Sequence, residues 1–320
     1  SLYCYPEASF ISRIKELLTR KPAEQILHSS EIETAPLQNI LVDTDKLTPT
    51  HKPELLLESQ RLELPQFIIG CGHSVGKQRD HNEDALFTLT TNLIADDTQI
   101  PFGLYIIADG MGGHQHGEIA SSVAVRTLAS VVVHKIYLSF MGLSENQNEE
   151  SIQEILQEGV LQAHREINTK AEGGGTTLTA ALLMGDMMTI AHVGDSRAYI
   201  LYSDGIRETL THDHTLVKRL EELGQITADE AAVHPQRNVL YRALGQGEPF
   251  HPDIATFPLP HSCHLLICSD GLWGVVPEKH LLRLVNTAGN PQQACQALTD
   301  AANNAGGPDN ITVILVRLPD

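Results

Sequence analysis

Cysteine is scarce in this sequence. The 320 residues include five cysteines, an odd number with no CxxC pair. Neither a disulfide framework nor a zinc ribbon is therefore predicted. Sparse, unpaired cysteines are typical of a reducing compartment, so we expect a cytoplasmic protein with free thiols.

Long apolar runs are missing as well. A membrane-spanning helix needs about 18 consecutive apolar residues. The nearest candidate, residues 119–140, is interrupted by Arg126, His134 and Lys135. We expect this segment to form a buried helix, and we expect no membrane partner. The first apolar stretch, around Phe10, is broken by charged residues and does not resemble a signal peptide.

Basic residues are outnumbered. The chain has 22 lysines and arginines against 40 aspartates and glutamates, for a formal net charge of -18. This charge repels polyanions, so nucleic acid is not an expected partner. Solubility accounts for most of the acidic excess. Several of the carboxylates, however, lie in tight Gly-Asp sequences that solubility does not require.

The sequence pattern changes near residue 66. Residues 1–65 combine a short amphipathic helix with proline-punctuated polar segments, a pattern typical of an extension or linker. In residues 66–320, short apolar runs typical of strands alternate with long helical stretches, without an internal repeat. We predict one domain over residues 66–320 and leave the role of residues 1–65 open.

The apolar runs are nearly continuous, as in strands buried on both faces. Gly185-Asp186 and Asp204-Gly205 separate such runs at hairpin spacing, which predicts antiparallel neighbours. Helices occur in pairs between groups of strands, unlike the alternation of a Rossmann fold. The predicted class is α+β, a four-layer αββα sandwich of two antiparallel β-sheets flanked by pairs of antiparallel helices. The predicted strands are 67–74, 85–90, 104–108, 177–184, 187–193, 198–201, 264–269 and 311–318, and the predicted helices are 118–138, 151–172, 277–288 and 291–304.

Four aspartates stand at abrupt strand ends or turns: Asp109, Asp195, Asp270 and Asp309. A strand that delivers an aspartate to a glycine turn places the carboxylate at the rim of a sheet. A single Asp-Gly pair is more often a simple β-turn. Four carboxylates gathered at a rim repel one another unless cations neutralise them, and Mg²⁺ and Mn²⁺ prefer such oxygen ligands.

Arg79 precedes the acidic pair Glu83 and Asp84. A guanidinium can bind a phosphate through two parallel hydrogen bonds beside a metal centre, a geometry that lysine does not match. Taken alone, this stretch is better interpreted as a charged loop that forms surface salt bridges.

Together these segments resemble the PPM, or type 2C, protein phosphatase family, and its bacterial members in particular. The motifs occur in the family's order from Arg79 to Thr312, so the resemblance covers nearly all of residues 66–320. The motifs are Arg79 with Asn82-Glu83-Asp84, Asp109-Gly110-x-Gly112-Gly113, Gly175-Thr176-Thr177, Gly194-Asp195-Ser196-Arg197, Asp213-His214-Thr215, Ser269-Asp270-Gly271-Leu272 and Asp309-Asn310-Ile311-Thr312.

The resemblance implies a phosphatase for phosphoserine and phosphothreonine in proteins, with two Mn²⁺ or Mg²⁺ ions and no phosphoenzyme. By this resemblance Asp109 bridges the two ions, Asp270 and Asp309 complete the shell of the first, and the Gly110 carbonyl binds the second. Arg79 binds the phosphate and orients it for attack.

The resemblance extends to residues around these ligands. It implies that Glu83 and Asp84 hold water molecules on the metals. It also implies that Asp195, with Asp270, forms a third and weaker metal site. Residues 213–245 correspond to the family's flap beside the active site.

Met111 departs from the eukaryotic pattern, in which a histidine follows the Asp-Gly pair, although bacterial relatives commonly have methionine here. Methionine cannot donate a proton. His114 and His116 lie close in sequence, but a loop histidine is more often simply solvated. We expect the leaving group to take its proton from water on the metals.

Two other functions stay open. A pseudophosphatase on the same fold would be expected to have lost metal ligands, and a small-molecule phosphatase would use the same ligands on other substrates. The expected partners are phosphorylated proteins, either targets of a Ser/Thr kinase or a partner-switch regulator. The expected state is a monomer.

Overall fold

The computed structural model describes residues 66–95, 98–112, 115–141, 143, 150–247 and 250–319. The predicted extension, residues 1–65, lies outside them. The strands are β1 (Ile68–Ser74), β2 (Ala85–Ala95), β3 (Thr98–Ala108), β4 (Gly110–Met111), β5 (Gly175–Thr176), β6 (Leu178–Met184), β7 (Met187–Val193), β8 (Arg197–Tyr202), β9 (Arg207–Thr209), β10 (Asp253–Pro258), β11 (Cys263–Cys268) and β12 (Ile311–Arg317). The helices are α1 (Gln115–Val132), α2 (Ile152–Lys170), α3 (Leu216–Glu222), α4 (Ala228–Ala232), α5 (Asp270–Trp273), α6 (Glu278–Thr287) and α7 (Pro291–Asn304).

The long strands of the described residues form two five-stranded sheets, and β4 pairs with β5 in a small ribbon. Sheet one has the order β1-β12-β11-β8-β9, and sheet two has the order β10-β7-β6-β3-β2. Neighbouring strands in both sheets are antiparallel. The predicted hairpins are confirmed: the β6–β7 turn contains Gly185 with φ 60°, and the β8–β9 turn contains Gly205 with φ 87°.

Three apolar layers hold the fold together. Helices α1 and α2 cover sheet two, the two sheets pack face to face, and α6 and α7 cover sheet one. On β3, Leu104 and Ile106 face the helices while Tyr105 and Ile107 face the other sheet. Both faces of this strand are buried, which explains its continuous apolar sequence. The predicted αββα sandwich is confirmed.

Strand β10 was not predicted from the sequence. It lies at an edge of sheet two, most of its residues are partly or fully exposed, and it ends at Pro258. An edge strand buries little surface and tolerates proline, so it lacks the apolar run that identifies buried strands.

Helix α1 continues through a π-helical turn, Val133–Tyr137, to Leu138–Phe140. The segment His116–Tyr137 is long and apolar enough to cross a membrane by length and composition, with a mean hydropathy of 1.4. Half of it is buried, and Leu128 and Val132 belong to the core shared with α2 and sheet two. A buried core helix meets the same criterion, and this is the packing that the sequence predicts.

Candidate active site

Two acidic residues flank one end of the β2–β3 hairpin. Ala85 at the start of β2 pairs with Ala108 at the end of β3, so Asp84 and Asp109 lie at the same edge of sheet two. The main chain of Asp109 is anchored by Thr177: its N–H donates to Thr177 Oγ1 over 3.0 Å, and its carbonyl accepts from the Thr177 N–H over 2.9 Å. The antiparallel register therefore brings together carboxylates that are 25 positions apart in the sequence.

Sheet one presents a second pair in the same way. Cys268 at the end of β11 pairs with Val313 near the start of β12. Asp270 follows β11 and Asp309 precedes β12, so both lie at one edge of this sheet. Asp195 follows β7 of sheet two. The pKa values of these aspartates respond to one another's charges, which places the five predicted or implied carboxylates in one cluster.

Burial and mutual repulsion dominate the electrostatics of this cluster. Burial is the main cause that raises the pKa of Asp84; hydrogen bonds from Thr312 and Ser269 oppose it, the charges of Asp270 and Asp309 add to it, and the net pKa is about 7. Burial and the charge of Asp309 raise the pKa of Asp270 to about 6. The pKa of Asp109 is well above its usual range because of burial and then the charge of Asp84, and burial and then Asp270 raise the pKa of Asp195.

The donor set fits divalent cations. Within the described residues, no three carboxylate, imidazole or thiolate groups already form a cage around one point. However, Oδ1 of Asp84 and Oδ1 of Asp270 are buried without a hydrogen-bond partner in that part of the chain. The carboxyl groups of Asp109 and Asp270 are close enough to hydrogen-bond, which two ionised carboxylates do not tolerate unless a proton or a cation lies between them. Hard cations supply that charge and accept such oxygen ligands.

Arg79 lies in the loop between β1 and β2. Its Nη2 donates to Oδ2 of Asp309 over 2.8 Å, and its side chain is half exposed. Partial burial disfavours its charge, but Asp309, Glu83 and Asp109 outweigh that effect and raise its pKa. The guanidinium therefore lies at the solvent-facing side of the carboxylate cluster.

Gly110 and Glu83 are joined through the main chain. The Gly110 N–H donates to the Glu83 carbonyl over 3.2 Å, and a Cβ at position 110 would lie 2.3 Å from the Gly117 carbonyl oxygen. Only glycine fits this approach. The Glu83 side chain is buried, and its Oε1 lies 2.9 Å from Nε2 of His81.

The main chain of Asp195 is held by Trp273, a residue for which the sequence predicts no role. Trp273 donates from Nε1 to the Asp195 carbonyl over 3.0 Å. The Arg197 guanidinium lies 3.5 Å from the centroid of the Trp273 ring and forms a salt bridge of 2.6 Å to Asp213. The position of Arg197 directly after a Gly-Asp-Ser motif could have indicated its salt bridge to Asp213. Nothing in the sequence indicated the contact of Trp273.

The predicted flap region, residues 213–245, contains α3 and α4. His214, which is buried in this region, accepts a hydrogen bond at Nδ1 from the Gly194 N–H over 3.0 Å.

Met111 lies on β4 opposite Gly175. His116 is exposed at the start of α1, and His114 is outside the described residues.

The protein phosphatase 2C family model matches residues 70–311. The serine/threonine phosphatase stp of Listeria innocua is 38% identical over 242 residues, which are 76% of this chain and 92% of the relative. The solved serine/threonine phosphatase PstP/Ppp of Mycobacterium tuberculosis superposes with a TM-score of 0.65 at 30% identity, over 80% of this chain and all of that one. A PstP catalytic domain in complex with two manganese ions gives a TM-score of 0.64 at 28% identity, over 80% of this chain and all of that one.

The αββα fold and its carboxylate-lined edge are those of a metal-dependent protein phosphatase. The chain belongs to the protein phosphatase 2C family, and it is a protein serine/threonine phosphatase.

Proposed function

We propose that this phosphatase hydrolyses phosphoserine and phosphothreonine by direct attack of water at a site holding two Mn²⁺ or Mg²⁺ ions, without a phosphoenzyme. The observation that carries the proposal is the cluster of buried, mutually repelling aspartates with unpartnered oxygens. When bound, two adjacent ions lower the pKa of a water molecule between them and neutralise the phosphoryl oxygens.

The first group of ligands comes from the ends of strands. Asp109 would hold both ions, Asp270 and Asp309 would hold the first, and the Gly110 carbonyl would hold the second. Main-chain anchoring by Thr177 limits the movement of Asp109. Rigid placement matters because phosphoryl transfer depends mainly on positioning and electrostatic stabilisation.

Glu83 and Asp84 would contact the ions through water molecules. Both are buried at the edge of sheet two, where they would accept hydrogen bonds from water molecules bound to the ions. Asp195, together with Asp270, provides a third and weaker cation site. Support for it comes from the repulsion between these two carboxylates, which raises the pKa of Asp195.

Arg79 positions the phosphate. Its guanidinium is half exposed and points its Nη2 at the cluster. It binds two phosphoryl oxygens and orients the phosphorus for in-line attack. The serine or threonine leaving group would take its proton from water, because Met111 has no proton to give.

We also propose a domain organisation and a cellular role for this enzyme. Residues 66–320 form the catalytic domain, with residues 213–245 as the flap beside the site. The enzyme acts as a monomer in the cytoplasm, where it opposes a Ser/Thr kinase or dephosphorylates a partner-switch regulator. Its relatives' names support protein substrates.

Mn²⁺-dependent hydrolysis by the wild type and by Asp270→Asn tests the mechanism. A phosphothreonine peptide, a phosphotyrosine peptide and a small aryl phosphate are compared as substrates. We expect the wild type to prefer the phosphothreonine peptide and to need the metal, and Asp270→Asn to be strongly impaired. Equal metal-free activity in both proteins would contradict the mechanism. Inactivity of the wild type on every substrate would indicate a pseudophosphatase, and a preference for the aryl phosphate would indicate a small-molecule phosphatase.

A further inference from the structure

A closed ring of hydrogen bonds joins His73 to Asp84. The ring can be assigned from its one unambiguous donor, the Asp84 main-chain N–H, which donates to Asn82 Oδ1 over 3.0 Å. The Asn82 amide nitrogen therefore faces His73, with 2.9 Å between Nδ2 and Nε2. An amide NH₂ group only donates. His73 Nε2 is thus the acceptor, and the neutral imidazole has its proton on Nδ1.

The proton on Nδ1 determines the donors of the next two hydrogen bonds. His73 Nδ1 donates to Thr312 Oγ1 over 3.0 Å. The Thr312 hydroxyl, which accepts at its oxygen, directs its own proton to Asp84 Oδ2 over 2.6 Å. The ring runs from Asp84 through Asn82, His73 and Thr312 back to the Asp84 carboxylate.

A second donor completes the arrangement around Asp84. Ser269 Oγ accepts from the Thr312 N–H over 3.0 Å and donates to Asp84 Oδ2, also over 3.0 Å. Oδ2 therefore receives two hydrogen bonds, whereas Oδ1 is buried without a partner in the described residues. Two hydroxyl donors favour the ionised carboxylate, and they leave Oδ1 as the oxygen available to the site.

His73 is the exposed member of this ring. It lies on β1 opposite Thr312 of β12, so sheet register alone places the imidazole beside the threonine hydroxyl. Partial burial lowers the pKa of His73, which favours the neutral form that the ring requires. A surface histidine thereby determines which way a buried hydroxyl proton points.

We propose that His73 is a positioning residue of this phosphatase: by closing the ring, its imidazole aims the Thr312 hydroxyl at Asp84 and fixes the carboxylate with Oδ1 turned to the metal site. The inference rests on the proposed function, in which Asp84 holds water beside the ions. Groups that orient the surroundings of a metal are commonly worth about 10–100-fold in metal affinity or activity.

Two matched pairs of variants test the proposal. His73→Ala removes the donor to Thr312, while His73→Asn keeps an N–H donor near the place of Nδ1. Thr312→Val removes the hydroxyl, while Thr312→Ser keeps it. His261→Asn is the control, because His261 is exposed before β11, at the opposite end of that strand from Asp270. Circular dichroism establishes folding for each variant.

Mn²⁺ binding is measured from the EPR signal of the free ion, and kcat and KM are measured with a phosphothreonine peptide. We expect His73→Ala and Thr312→Val to weaken Mn²⁺ binding and lower kcat about tenfold with little change in KM. His73→Asn and Thr312→Ser should recover most of that loss, and His261→Asn should match the wild type.

Wild-type Mn²⁺ binding and turnover by folded His73→Ala would overturn the proposal, as would equal damage by His73→Asn and His73→Ala. Failure of the proposed function is a separate result. It would appear as unchanged Mn²⁺ binding and hydrolysis in Asp270→Asn, a residue outside the ring.

Discussion

Arg79 donates a hydrogen bond from Nη2 to Oδ2 of Asp309 over 2.8 Å. The residue proposed to bind the phosphate thus contacts a residue proposed to bind an ion. On the proposed function, an ion at Asp309 would offset the charge that holds the guanidinium, and Arg79 would become available to the substrate. We therefore expect metal binding and substrate binding to be coupled through the Arg79–Asp309 pair.

Arg79→Ala separates these two roles. We expect kcat/KM for a phosphothreonine peptide to fall about 100-fold because the phosphate is no longer oriented. Mn²⁺ affinity should stay the same or increase, because Asp309 loses a competing cation. Steady-state kinetics and Mn²⁺ EPR check both effects. The control is Arg165→Ala, which removes an exposed arginine on α2. Parallel losses of metal binding and turnover in Arg79→Ala would contradict this division.

Asp270→Asn should increase the stability of the metal-free protein and abolish the stabilisation by Mn²⁺. Neutralising one member of a repelling cluster relieves repulsion, so the EDTA-treated variant should be more stable than the wild type by on the order of 1 kcal/mol. The increase in Tm that Mn²⁺ gives the wild type should be lost, because ligand binding stabilises only a protein that binds it. Thermal denaturation with and without Mn²⁺ measures both. A metal-free variant less stable than the wild type would argue against net repulsion in the cluster.

The pH dependence of stability follows from the raised carboxyl pKa values. The folded-state pKa is about 7 for Asp84 and about 6 for Asp270, above their common unfolded value of 3.8. Between these values the folded state binds more protons than the unfolded state, so stability declines as pH rises from about 4 through about 7.

We therefore expect the EDTA-treated protein to lose stability between pH 5 and pH 8, and we expect saturating Mn²⁺ to reduce that loss. Denaturant titrations at the two pH values supply the measurement. Asp84→Asn serves as the comparison, because it should flatten the metal-free dependence. A metal-free protein that is more stable at pH 8 than at pH 5 would be inconsistent with the assigned directions.

His116→Asn tests whether a nearby histidine is the general acid. His116 is exposed at the start of α1, and we expect its replacement to change kcat by less than about twofold. A lost general acid costs about 10²–10⁴-fold, so the two cases are easily distinguished. The pH profile of kcat should also keep its shape. A loss of that size, or a lost basic limb of the profile, would assign the proton to His116 instead of water.

The sequence allowed the layers of the fold to be predicted because buried strands and paired helices have periodic apolar patterns. It also identified the residues of the carboxylate cluster, through glycine turns at strand ends and the order of the motifs. The edge strand β10 was missed, since exposure removes the apolar signal. Trp273 was missed because its contact with the Asp195 carbonyl depends on how α5 packs, which no local pattern encodes.

The role of His73 could not be predicted from the local sequence either. Its role depends on its register against Thr312 and on the direction of an amide two residues from Asp84. Neither can be obtained from spacing along the chain. Asp84 itself was predicted, but the orientation of its two oxygens required the full hydrogen-bond network.

The carboxylate cluster draws on both sheets: Asp109 follows a strand of sheet two, whereas Asp270 follows a strand of sheet one. The distance between them is therefore set by the apolar layer between the sheets, in which Tyr105 and Ile267 are fully buried. We expect the replacement of Ile267 by a smaller residue to alter that spacing without touching a proposed ligand. On the proposed function, cation affinity would therefore depend on the packing between the two sheets, and side chains remote from the reaction would tune it.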